Sequence, residues 1–91
     1  MYTGKTKVIN PTGIHARPAS EFVKKAKDYV ASIKIENCSS PENVVVNAKS
    51  ILGVLRLAMV QGSEVKITAE GEDEEAAVKG LIELIDSGFG E

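Results

Sequence analysis

Apolar residues in this sequence recur at two periods, and the order in which those periods alternate leaves few folds open. Lys5-Thr6-Lys7-Val8-Ile9 alternates weakly and is rich in β-branched residues, so Tyr2 to Ile9 is expected to form a strand. The period then lengthens. Ala19, Phe22, Val23, Ala26, Tyr29 and Val30 follow the i, i+3, i+4, i+7 spacing of an amphipathic helix running from Pro18 to Tyr29 or Val30. It shortens again from Ala31 to Glu36, where Ile33 and Ile35 face one way and Ser32, Lys34 and Glu36 the other. After the polar loop Asn37 to Asn43, Val44-Val45-Val46 makes a brief third strand. A short helix follows from Ile51 to about Leu57, then a turn at Met59 to Ser63 and a fourth strand at Val65 to Ala69. The last helix is expected to start at an Asp73 N-cap and reach Asp86 or Ser87, with Gly88 as its C-cap. Ala77, Val78, Leu81, Ile82, Leu84 and Ile85 supply its buried stripe.

Strand, helix, strand, strand, helix, strand, helix in 91 residues fits one α+β domain with a single two-layer core, its helices on one face of the sheet. The pattern alone also admits a ferredoxin-like domain, although that arrangement normally lacks the final helix. Trp is absent and Tyr and Phe number two each, so the core must be aliphatic. Glu72, Asp73, Glu74 and Glu75 favour the positive end of the last helix dipole. Four consecutive acids point around a helix and do not converge on a metal. Gly80, inside that helix, costs ~1 kcal/mol against Ala and has no reason visible in the sequence.

Net charge is −2, which hides an asymmetry: residues 1–34 carry +5 and residues 35–91 carry −7. A nucleic-acid binder would be more basic overall, with exposed aromatics. This distribution suits a small protein with one basic docking face on an otherwise acidic surface. No apolar run approaches the ~20 residues of a membrane span, and the N-terminus lacks a signal peptide's apolar segment. Cys38 is the one cysteine, so no internal disulfide forms, which fits a reducing cytoplasm. With no second cysteine and no nearby histidine, Cys38 does not suggest a metal site. No cofactor is expected.

The chemistry is concentrated in Gly13-Ile14-His15-Ala16-Arg17-Pro18-Ala19-Ser20. Turn formers Asn10-Pro11-Thr12-Gly13 precede it and a helical pattern follows, with Pro18 in the first turn where its missing N–H costs nothing. His15, the only histidine, therefore falls at or just outside a helix N-terminus, whose unpaired N–H groups attract anions and phosphate in particular. The same helix end disfavours a protonated imidazole and leaves a nitrogen free to attack. Arg17 offers a fork of donors shaped for phosphate oxygens. A lone histidine is also often an ordinary surface or capping residue. Arg17, Ser20, Lys24 and Lys27 form a stripe opposite the apolar face, either a solvated surface or a landing strip for an acidic partner. Ser50 is a good N-cap, and capping alone would account for it. Ile51 and Leu52 beside it could be core or a docking knob.

Two stretches settle between these alternatives by likeness. Gly13 to Ser20 resembles the active-site signature of the HPr family, the histidine-containing phosphocarriers of the bacterial phosphoenolpyruvate:sugar phosphotransferase system. Val46-Asn47-Ala48-Lys49-Ser50-Ile51-Leu52-Gly53-Val54 is similar to the same family's regulatory serine segment. The resemblance extends over nearly the whole chain and implies an open-faced two-layer sandwich over residues 1–91. Its four-stranded antiparallel sheet has the order 1-4-2-3, with three helices on one face. It implies that enzyme I, charged by phosphoenolpyruvate, passes a phosphoryl group to Nδ1 of His15, which hands it to sugar-specific enzyme IIA domains. Arg17 and the backbone N–H groups of Ala16 and Arg17 would hold the phosphoryl oxygens. Lys24, Lys27, Lys49, Ile51 and Leu52 would dock partners. Ser50 would be the target of a serine kinase and phosphatase, and the modified protein would bind a transcriptional regulator, as in Gram-positive members. Such a protein is a cytoplasmic monomer and a carrier, not an enzyme, with no nucleic-acid or membrane partner. The chain departs from the family in its longer 37–43 loop, in Leu52 where many relatives have Met, and in Arg56. Two alternatives keep the fold: a regulatory module acting through Ser50, and a nitrogen-related phosphorelay. A ferredoxin-like small-ligand sensor is the alternative from another class.

Overall fold

The computed structural model describes residues 1–9, 13, 16–39, 44–57 and 59–90. In chain order the elements are β1 (Tyr2–Lys7), α1 (Ala16–Ala26), β2 (Ser32–Asn37), β3 (Val45–Asn47), α2 (Ile51–Arg56), β4 (Glu64–Glu70) and α3 (Glu74–Asp86), with a last 3₁₀ turn at Gly88–Gly90. The four strands form one antiparallel sheet in the order β1-β4-β2-β3, as expected. Register runs from Tyr2↔Ala69 to Lys7↔Glu64 and from Ser32↔Glu70 to Asn37↔Val65. That pairing aligns Ile33, Ile35, Val65, Ile67 and Ala69 on one face, where all are buried. Lys5, Lys34 and Glu64 stand among the residues of the other, open face. The helices cover the apolar face, and Phe22, Leu81 and Ile85 from α1 and α3 complete a core that is mainly aliphatic.

Element boundaries differ from expectation where tertiary contacts intervene. β1 ends at Lys7, because Val8 instead exchanges backbone bonds with the turn before β4: its N–H donates to Ser63 and its carbonyl accepts from Gly62. α1 ends at Ala26, short of Tyr29 and Val30. Its last turn tightens to i→i−3 bonds, Asp28 to Lys25 and Tyr29 to Ala26, and Val30 is left 77% exposed. The chain is turned there by Asp73. That carboxylate was expected to cap α3, but it makes no side-chain cap bond and instead accepts the N–H groups of Val30 and Ala31, each at 2.9 Å. Those two bonds, Val30 first, lower the Asp73 pKa.

Asn37, assigned by sequence to the polar loop, is the final residue of β2 and 5% exposed. Its Nδ2 donates to the Leu57 carbonyl at 2.9 Å and its Oδ1 accepts from Ser39 at 3.0 Å, so the buried amide is satisfied. The remainder of the longer loop, 40–43, lies outside the described residues. Gly80 also finds its reason: the Tyr29 hydroxyl rests where a Cβ at position 80 would be. The α3 stripe is narrower than its pattern, with Ala77, Val78, Leu81 and Ile85 buried but Ile82 and Leu84 only partly so. Gly88 follows the C-cap Ser87 with φ 68, the left-handed stop expected there.

Candidate functional site

α1 begins at Ala16, immediately after His15 in the chain. His15 and Ile14 lie outside the described residues, as do residues 10–12. Pro18 and Ala19 are buried and fix the first turn against the core, while Ala16, Arg17 and Ser20 are exposed. Pro18 supplies no N–H, so the outward donors of this helix end are those of its neighbours in the first turn. The turn contains no acidic side chain, and Arg17 has no ion-pair partner among the described residues. An anion arriving at this end would meet a guanidinium and backbone donors without a competing carboxylate.

N-terminal to Ile14 in the chain, Gly13 has φ 68 and sits hard against the connection from α2 to β4. A Cβ at position 13 would lie 2.6 Å from the Met59 carbonyl oxygen and 2.8 Å from the Val60 Cα. Only glycine meets both conditions, a positive φ and no space for a side chain. The sequence signal for this seat is a single Gly in a turn cluster; the partner it packs on is 46 positions away and could not be read.

The lysine stripe of α1 leads to α2. Lys24, Lys27, Lys49 and Ile51 line one shallow groove of about 300 Å³ together with Ser20 and Val23. Lys24 and Lys27 are exposed there. Lys49 is not a free cation of that groove, since its Nζ donates to the Tyr29 carbonyl at 2.7 Å and ties the start of α2 to the end of α1. Ser50 is the N-cap of α2: its Oγ accepts from the Gly53 N–H at 3.2 Å and its carbonyl from Val54. Leu52 is 72% exposed and Ile51 41%, so the pair is surface, not core. Leu55, which sequence reasoning did not single out, widens that apolar patch. Arg56 is exposed in the last turn of the same helix.

Thus four of the five docking candidates, Lys24, Lys27, Lys49 and Ile51, share one groove, the fifth, Leu52, is exposed beside Ile51, and Ala16 and Arg17 mark the opposite end of α1. Among the described residues no group of three or more His, Cys, Asp or Glu is arranged to hold a metal ion. Cys38 is a half-buried free thiol. No helix, among the described residues, is long and apolar enough to cross a membrane.

Comparison with known proteins gives a consistent result. Residues 2–87 match the family described as the PTS HPr component phosphorylation site. The phosphocarrier protein HPr of Lysinibacillus sphaericus is 45% identical, over 93% of this chain and 92% of that one. The multiphosphoryl transfer protein of Vibrio cholerae is 37% identical, a match covering 99% of this chain but 22% of the larger protein. Among solved structures, HPr-C-His from Thermoanaerobacter tengcongensis superposes with a TM-score of 0.90 at 45% identity, covering 100% of this chain and 98% of that one.

Proposed function

The chain belongs to the HPr family of phosphocarrier proteins of the phosphotransferase system, and from that premise we propose that His15 is its phosphoryl acceptor. The observation that carries the proposal is the position of the only histidine, directly before the acid-free first turn that bears the exposed Arg17. The neutral imidazole attacks through the lone pair of Nδ1. The nitrogen–phosphorus bond forms as the bond between phosphorus and the donor, phosphorylated enzyme I, breaks. Arg17 and the N–H groups of Ala16 and Arg17 take up the phosphoryl oxygens, and the reverse geometry delivers the group to a sugar-specific enzyme IIA domain. A shallow site is enough for this work. Phosphoryl transfer depends on positioning and charge stabilisation, and each partner brings its own half of both.

Docking falls to the groove lined by Lys24, Lys27, Lys49 and Ile51, with exposed Leu52 next to Ile51 in the chain: Lys24 and Lys27 draw in an acidic partner and the apolar pair anchors it. Ser50 is a control point, since a phosphate on its Oγ would stand beside that pair and repel the same partner. A serine kinase and phosphatase and a transcriptional regulator complete this scheme. The protein functions as a cytoplasmic monomer, a carrier and not a catalyst, over one domain spanning residues 1–91.

Incubation with phosphoenolpyruvate and enzyme I, followed by intact mass measurement, tests the proposal. One phosphoryl group should appear, stable in base and lost in acid, and His15→Ala should remove it while leaving the fold intact. Normal labelling of the folded His15→Ala variant would end the proposal.

A further inference from the structure

We infer that Arg56 is a specificity-determining residue for the docking partner, and that it takes a partner carboxylate on the flank of α2 opposite the lysine groove. The inference deepens the reading of α2 as the docking helix and rests on it. Taken around the α2 axis at ~100° per residue, the side chains follow the order Val54, Ile51, Leu55, Leu52, Arg56, Gly53. Both ends of that order face the protein. Val54 lies in the core, and a Cβ on Gly53 would stand 3.1 Å from the Cβ of Val46 on β3. The four residues between them are all exposed, and Arg56 follows Leu52 by one turn on the same face.

Ile51 borders the groove that Lys24 and Lys27 line, so the apolar strip of α2 has cations along one edge. Arg56 stands at its other edge, toward β3. The lysines attract any acidic surface. A second cation across the strip distinguishes among those surfaces, because only a partner with carboxylates on both sides of its apolar hollow satisfies both edges. A partner acidic on one side alone would bury Arg56 unpaired, which is costly. The guanidinium fits this task better than an ammonium, since its planar fork meets a carboxylate with two parallel bonds and is more weakly hydrated. Among the described residues Arg56 makes no ion pair. Its place in the last turn of α2 also favours a cation through the helix dipole, and a purely stabilising role would need no partner.

The two roles part on KM. In transfer from phosphorylated enzyme I, Arg56→Glu should raise KM for the carrier roughly tenfold with kcat unchanged, the gap narrowing as salt rises. Arg56→Lys retains the charge without the fork and should recover most of the loss, to a KM about 2–3-fold above the parent's. Lys34→Glu makes the same change of charge on the open face of the sheet, where Lys34 is exposed, and should keep KM within about 2-fold. If Arg56→Glu does not fold, Arg56→Gln carries the test, since glutamine is as good a helix former as arginine, and KM should rise about 3-fold. The parent's KM in Arg56→Glu, or in Arg56→Gln where it is needed, would overturn the inference and leave Arg56 as a helix-end cation. So would Lys34→Glu raising KM as much as Arg56→Glu, which would assign the effect to net charge. If Leu52→Ala and the Lys24→Glu, Lys27→Glu double variant also keep the parent's KM, the docking reading falls and the inference with it. If those variants raise KM and Arg56→Glu does not, the inference alone falls, so the two failures are distinct.

Discussion

Helix α3 hides Ala77, Val78, Leu81 and Ile85 completely, whereas α2 hides only Val54 and leaves Ile51, Leu52 and Leu55 at the surface. Both helices are rich in aliphatic residues. α3 spends them on the β1 and β4 side of the sheet, over 13 residues with Glu74 and Glu75 in its first turn. α2 is six residues long, a length that is not stable in water alone. It stands on the Ser50 cap, on Val54 in the core, and on Lys49, which ties its approach to the Tyr29 carbonyl. The difference separates two uses of apolar surface: one helix supplies stability, and the other presents a patch next to a cationic groove.

The widest test of that contrast is a pair of truncations. Leu81→Ala should lower unfolding free energy by about 2–5 kcal/mol, read as a fall in the urea midpoint with an unchanged m-value. Leu52→Ala should change stability by no more than ~0.5 kcal/mol while slowing phosphoryl acceptance. Equal losses of stability would dissolve the contrast. Ser50→Asp should come next in size. Aspartate caps a helix as well as serine, so thermal stability should hold. The carboxylate beside Ile51 and Leu52 should nonetheless reduce acceptance from enzyme I by at least roughly tenfold, since like charges at an interface cost several kcal/mol. Unchanged transfer in a stable Ser50→Asp variant would leave Ser50 as a cap and nothing more.

The third test sharpens the α3 side through pH. The N–H groups of Val30 and Ala31 hold the Asp73 carboxyl below its ordinary value. A depressed folded-state pKa contributes stability that is present above the unfolded value and lost as pH falls through the folded one. Asp73→Asn should therefore flatten the acid limb of the stability profile below the usual carboxylate range and leave its slope near neutrality alone. Glu74, lowered by the N-terminal ammonium and then by the Gly71 N–H, should retain its own share of that limb. Parallel acid limbs for Asp73→Asn and the parent would show that the two bonds carry no linkage.

Sequence patterning resolved most of this molecule because β2, β4, α1 and α3 each carry a clear apolar period. Ile33 and Ile35 alternate and are buried; Phe22, Val23 and Ala26 share a stripe and are buried. The misreadings fall where a distant partner decides. Val30 continues the α1 period, but Asp73 turns the chain there from 43 positions away. Asn37 resembles a loop residue until the Leu57 carbonyl gives it a buried partner, and Gly80 looks gratuitous until Tyr29 arrives above it. The site divides in the same way. Arg17, Ser50 and the lysine stripe follow from helical spacing. The seat of Gly13 on Met59 and Val60, and the diversion of Lys49 to Tyr29, depend on contacts between segments and have no local signature.

The division between a presenting side and a supporting side is tested most directly by mapping amide shifts while isotope-labelled protein is titrated with unphosphorylated enzyme I. Perturbations should gather on residues 16–27 and 49–56, which carry Arg17, the Lys24 and Lys27 stripe, Ser50 and the Ile51-Leu52 pair. Glu74–Asp86 of α3 and the open face of the sheet should stay still. Shifts concentrated on α3 or the open sheet, with α1 and α2 unmoved, would contradict the account.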